Sequence, residues 1–208
     1  MTELASQTLV WIRLGAVAGL ASCVVYPALV FLPVSRVLAG VLAAAWGPLL
    51  GVASMGLGRL LQVQRRSVAV QLAVALNFAA GALVTAMLLV QLAVRDRTQG
   101  SEVPPELVAV WLGLDVAWDV YVGLGTGLLA LAMLPHPRFR AVFGIPGLLI
   151  AAVLLGLNLG TFPTPPGEAG LFDAGPLVGL WYLAVSVQAW RSLGWAEAAF
   201  AAASGTSA

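Results

Sequence analysis

The sequence predicts an all-α integral membrane protein, a six-transmembrane helix bundle with both termini cytoplasmic. Three observations carry that expectation. Of the 208 residues, 61% are hydrophobic and 9% are charged, against about 25% charged in a soluble domain; ten basic and nine acidic side chains cannot form the polar shell of a water-soluble fold. Six apolar runs follow one another, each of about the 20 residues that cross a hydrocarbon core of roughly 30 Å. Arginine is distributed unequally between alternate connections, which orients the bundle.

The first span, 14–32, follows Arg13. Leu20-Ala-Ser-Cys23 fits a lipoprotein cleavage pattern, but Val24 to Leu32 stays apolar, which favours an uncleaved span with a packed thiol. After Pro33-Val-Ser-Arg36 comes the second span, 37–58. Pro27 and Pro48 interrupt these two helices; each frees a carbonyl that can ligate a cation in a broken helix, although a tolerated kink is the simpler reading. The third span, 67–94, follows Arg59 to Arg66. The fourth, 105–134, opens on Pro104-Pro105, which suits a first turn where a missing N–H costs nothing. Pro135-His-Pro-Arg-Phe-Arg140 leads into the fifth, 141–161, and a Pro/Gly-rich connection into the sixth, 171–190. No linker divides the chain, so residues 1–208 are read as one transmembrane domain. The runs lack two-residue alternation, which favours helices over a barrel.

Arg13, Arg59, Arg65, Arg66, Arg138, Arg140 and Arg191 fall on one side by parity, and Arg36, Arg95 and Arg97 on the other. The arginine-rich side is cytoplasmic, and the chain is expected in the cell inner (cytoplasmic) membrane. Trp11, Trp190 and Trp195 then lie at that interface. The same arginines can touch anionic headgroups.

Absences exclude several chemistries. The chain has no Lys, which removes Schiff-base enzymes, retinal proteins and P-loop NTPases. One Cys and one His exclude a disulfide, a cysteine metal cluster and a bis-His haem. No cofactor, metal site or catalytic residue is expected. A net charge of +1 argues against a nucleic-acid partner.

The residues least suited to a bilayer are Asp115 and Asp119. At about 1.5 Å per residue they lie roughly 15 and 21 Å into the fourth span, on one face. A carboxylate there costs on the order of 3 kcal/mol on the lenient scale, so both should look into the bundle. Two such groups suit a proton relay or a proton-coupled cation site; the alternative is a protonated pair that bonds neighbouring helices. Trp111 and Trp118 share their stripe and can form an aromatic box for a cationic or planar apolar ligand, or serve as interfacial belt and core filler. Asn77, near the middle of the third span, can donate to the pair or form an ordinary interhelical bond. Trp181, with Tyr182, can close the pocket from the sixth span. Asn158 and Gln188 are expected at hydrated interfaces, and His136 in a solvated turn. Gly15/Gly19, Gly47/Gly51, Gly123/Gly127, Gly156/Gly160 and Gly175/Gly179 favour close helix contacts within the bundle or between copies.

Trp111-Leu-Gly-Leu-Asp-Val-Ala-Trp-Asp119, Pro137-Arg-Phe139 and Gly179-Leu-Trp-Tyr182 resemble segments of bacterial multi-pass membrane proteins grouped as a domain of unknown function. The resemblance implies a polytopic fold and no activity or site residue. Three functions stand open: a proton- or cation-linked binding or transport protein, an accessory protein that scaffolds lipid, pigment or partner subunits, and an intramembrane enzyme acting on a lipid. Expected partners are membrane lipids, a small cationic or apolar ligand, and a second copy or partner membrane subunit.

Overall fold

The computed structural model describes residues 3–98 and 102–205. Residues 99–101 of the third connection and the two extreme ends lie outside the described residues. Among those described, the chain forms seven helices: α1 (Glu3–Phe31), α2 (Arg36–Leu61), α3 (Val68–Thr98), α4 (Pro105–Met133), α5 (Arg140–Thr161), α6 (Gly175–Arg191) and α7 (Leu193–Gly205). No strand is present among these residues. The first five are 22 to 31 residues long, with mean hydropathy of 1.6 to 2.2 over their most apolar stretch, and are long and apolar enough to cross a membrane. By length and composition this is a membrane protein.

Local chemistry sets the helix ends. Ser35 Oγ accepts from Leu38 N–H at 3.3 Å and caps α2. Ser67 Oγ accepts from Val70 N–H at 3.4 Å at the start of α3. α1 starts well ahead of the apolar run at Leu14: Thr8 Oγ1 donates to Leu4 O at 2.9 Å, and Leu9 and Ile12 are buried in the core. Helical dihedrals continue through Pro27, Pro48 and Pro146.

Two elements depart from expectation. α6 begins at Gly175, not Leu171, because Asp173 Oδ1 accepts from Gly175 N–H at 2.8 Å and holds a turn there. Its 17 residues span about 25 Å, less than a bilayer core. No element is expected beyond Trp190, yet Leu193–Gly205 forms α7. This segment is rich in alanine, the best helix former, and its Trp195 and Phe200 pack against the core.

Each of α1 to α5 packs on the next. α6 closes the ring more closely on α1 than on α5, and α7 lies against α1 and α6. Small residues permit these approaches: a Cβ on Gly15 would sit 2.5 Å from Gly56 Cα, and one on Gly81 would sit 2.6 Å from Gly47 O. The most deeply buried large side chains, Ile12, Leu60, Leu129, Met133 and Phe139, lie toward the arginine-rich end of the ring. At the opposite end an Arg36–Asp96 ion pair joins the start of α2 to the end of α3.

The arginine-rich end corrects one expectation. His136 is not a solvated turn residue but is 6% exposed. Its ring lies 5.3 Å from that of Phe139 and 5.1 Å, edge-on, from that of Trp195. Its Nδ1 accepts from Arg138 N–H at 3.2 Å. Burial pulls its pKa below the ordinary 6.5; the Leu60 carbonyl opposes that shift and the Arg138 charge adds to it. The sequence shows the prolines on either side of His136 but not the apolar cover that α7 supplies.

Candidate functional site

The register of α4 on α5 builds the site. A Cβ on Gly123 would meet Leu155 Cγ at 3.0 Å, and one on Gly127 would meet Ala151 Cβ at 3.5 Å. One turn beyond Gly123, that antiparallel register sets Asn158 against Asp119, and Asn158 Nδ2 donates to Asp119 Oδ2 at 2.8 Å. The same nitrogen donates to Leu154 O at 3.0 Å. Asp119 is 6% exposed and Asn158 1%. Asn158 is therefore not at a hydrated interface. It lies near the end of α5, but the connection that follows tucks Pro165, Pro166 and Ala174 into the protein instead of leaving that end open. Asn158 Oδ1 is buried without a hydrogen-bond partner.

Asp115 stands one turn from Asp119 and is half-buried. Asp173 acts electrostatically on both, and Glu168 on Asp115. Asp173 is exposed, so an acidic rim leads from the connection between α5 and α6 to the buried carboxyl of α4. An aromatic wall stands beside it. Tyr26 of α1 stacks on Trp46 of α2 with centroids 5.2 Å apart, and Trp46 meets Trp118 of α4 at 5.7 Å. Tyr26 feels the charges of both Asp173 and Asp115, which ties this wall to the rim.

Of the residues expected to share a site, Asp115, Asp119 and Trp118 come together. Trp111 is half-buried and stands outside the aromatic ladder. Asn77 does not reach the acids. It packs on Gly125, where a Cβ would lie 2.6 Å from Asn77 Oδ1, and its Oδ1 accepts from Tyr182 Oη at 3.2 Å. Tyr182 Oη in turn accepts from Thr126 Oγ1 at 3.3 Å. Trp181 does not reach the acids either: its Nε1 donates to Phe143 O at 2.9 Å, and its ring covers Gly147. Trp181 thus lies beside the first two turns of α5.

α4 thus carries two polar layers on one face. Asp115 and Asp119 form the first. Thr126, seven residues on and about 10 Å deeper, joins Tyr182 and Asn77 in the second. Beyond it, toward the arginine-rich end, Leu129, Met133 and Phe139 are fully buried. Among the described residues no three His, Cys, Asp or Glu side chains converge as metal ligands. The arrangement can bind a proton or a cation, and can stack a flat ring against Trp118, Trp46 and Tyr26.

The sequence does not single out Tyr26, Trp46 or Asp173, and it points Asn158 to a hydrated interface rather than to Asp119. Asn158 carried a legible signal, because Ala151, Leu154 and Asn158 share one stripe at helical spacing. No family model, curated protein or solved structure matches the chain.

Proposed function

We propose that the chain is a small polytopic protein of the cell inner membrane that binds or transports a small ligand linked to a proton or cation. Six helical crossings with both termini on the cytoplasmic, arginine-rich side fit the distribution of Arg between connections. The observation that carries the reading is the Asp119 carboxyl, buried and held by Asn158 at 2.8 Å, at the foot of an acidic rim and an aromatic wall. An intramembrane acid of this kind is the usual mark of an ion or proton path. The two polar layers give a route part-way through the ring, and the apolar plug at Leu129, Met133 and Phe139 gives it a closed end.

The test is proton flux in proteoliposomes under an imposed membrane potential, together with quenching of tryptophan fluorescence by tetraphenylphosphonium, an apolar cation. The native protein should pass protons faster than empty vesicles or bind the cation in a pH-dependent way. Asp119→Asn should abolish either signal while the protein still elutes as a folded species. Absence of both signals in the native protein refutes the proposal.

A second reading, an accessory or assembly protein, draws on the outer glycine faces. Gly156, Gly160 and Gly179 would each accept a Cβ with nothing within 4 Å. The Gly156/Gly160 pair therefore serves no contact inside the monomer and suits a helix from a second copy or a partner subunit. A purified protein that is oligomeric, with Gly156→Val returning it to a monomer, supports this reading.

A further inference from the structure

A polar cleft lies far from the acidic rim, at the arginine-rich end between α2 and α3. It has a volume of about 510 Å³ and is lined by Met55, Gly58, Arg59, Gln62, Arg66, Gln71 and Val74. We infer that this cleft is a binding site for a phosphate-bearing anion, and that its occupant is the headgroup of an anionic phospholipid.

The chemistry is graded along the cleft. Met55 and Val74 lie one turn deeper into the helices than Arg59 and Gln71, so the inner wall is apolar and the outer rim is polar. That order matches a lipid, whose phosphate sits at the interface and whose glycerol and first methylenes lie beneath it. Guanidinium groups present paired donors that match phosphate oxygens, and this site has two. Among the described residues the ion pair found is Arg36–Asp96 at the other end of the bundle, so neither Arg59 nor Arg66 is held by a carboxylate. Both are exposed and free to turn toward a ligand.

The hairpin is braced in a way that keeps the cleft open. Gln62 Nε2 donates to Gly58 O at 3.1 Å, and Gln62 Oε1 accepts from Ser67 N–H at 3.3 Å. One side chain thus fastens the end of α2 to the start of α3 and fixes the spacing of the two arginines that flank it. Gly58 forms the floor, where a Cβ would lie 2.8 Å from Val74 Cγ2. The first turn of α3 also borders the site, and its positive dipole end adds to the field. The volume falls within the roughly 300–1,000 Å³ of small-ligand sites.

This inference is independent of Asp119 and survives if the transport reading fails. Its test uses the full chain purified in a neutral detergent and exchanged into mixed micelles holding equal phosphatidylglycerol and phosphatidylcholine. Bound lipid is counted by native mass spectrometry. Phosphatidylglycerol should be retained in preference to phosphatidylcholine. Arg59→Gln and Arg66→Gln should each weaken that retention about fivefold, and the pair together about 30-fold, from the usual attraction per arginine near an anionic surface. Arg65→Gln removes the same charge from the turn between α2 and α3 but does not line the cleft, and should leave retention almost unchanged. Arg59→Lys, which keeps charge and loses the paired donors, should fall between. An unchanged thermal melt for each variant separates lost binding from lost folding. Equal retention of the two lipids, or an Arg65→Gln loss as large as that of Arg59→Gln, overturns the site. Displacement of phosphatidylglycerol by millimolar inorganic phosphate overturns the lipid as occupant and assigns the cleft to a soluble phosphate.

Discussion

Removing the amide that faces Asp119 is the most direct test of the site's geometry. Asn158→Ala leaves a carboxyl that is 6% exposed with no donor in place of one at 2.8 Å. A hydrogen bond to a charged group contributes roughly 1.5–3 kcal/mol, whereas an interhelical bond between neutral groups in a membrane averages about 0.6 kcal/mol. The short distance and the burial place the Asn158–Asp119 coupling between these limits, at about 1–2 kcal/mol. A double-mutant cycle of Asn158→Ala and Asp119→Ala measures it directly, because the cycle cancels each side chain's separate contribution. Unfolding by SDS titration in mixed micelles, followed by tryptophan fluorescence, supplies the four stabilities. Asn158→Ala alone should be destabilising, and in the Asp119→Ala background its cost should drop by the coupling. Additive losses, within about 0.3 kcal/mol, would mean that the two side chains do not meet and that the α4–α5 register is wrong.

Three further outcomes follow from single contacts. His136, whose pKa lies below 6.5 because it is buried, takes up a proton more readily when unfolded than when folded. The stability that His136 contributes should therefore be full above about pH 6.5 and decline as pH falls below it; a difference between the native and His136→Phe melts that stays constant from pH 7.5 to 5 contradicts this. Gly81→Val would set a Cβ 2.6 Å from Gly47 O and should cost about 1–3 kcal/mol, whereas Gly156→Val, with open space around it, should leave the monomer's melt unchanged. Tyr182→Phe removes the hydroxyl between Thr126 and Asn77 and should cost about 1 kcal/mol without altering tetraphenylphosphonium quenching; loss of quenching would show that the second polar layer belongs to the binding site.

The long apolar helices were legible because their signal is cumulative: twenty residues of one character outweigh any local exception. Asp115, Asp119 and Trp118 were legible for the opposite reason, since a charge or indole deep in such a run is individually costly or bulky. Asn77, expected near mid-span, and Trp181, expected to close the pocket from the sixth span, instead meet Tyr182 and Phe143, because position along a span does not say which neighbour lies opposite. That depends on register, which Gly123, Gly125 and Gly147 set through contacts with other helices. Asn158 is hidden by a rule that equates span ends with water. The connection from Phe162 to Ala174 breaks that rule by burying three of its own residues beside it. His136 was missed because its cover, Trp195, belongs to a helix that hydropathy alone does not announce.

The short sixth helix has a consequence for the surrounding lipid. On the proposed six-crossing topology, a wall of about 25 Å beside helices of 22 to 31 residues cannot meet both leaflets at the same height. The bilayer must thin along the α6 face, or the carboxylate of Asp173 and its flanking backbone must draw interfacial water below the plane of the neighbouring headgroups. Either way the water boundary dips on one side of the molecule alone, and it does so next to the acidic rim. A hydration-sensitive label at Leu171 should accordingly report a wetter setting than one at Leu159, whose helix reaches full height.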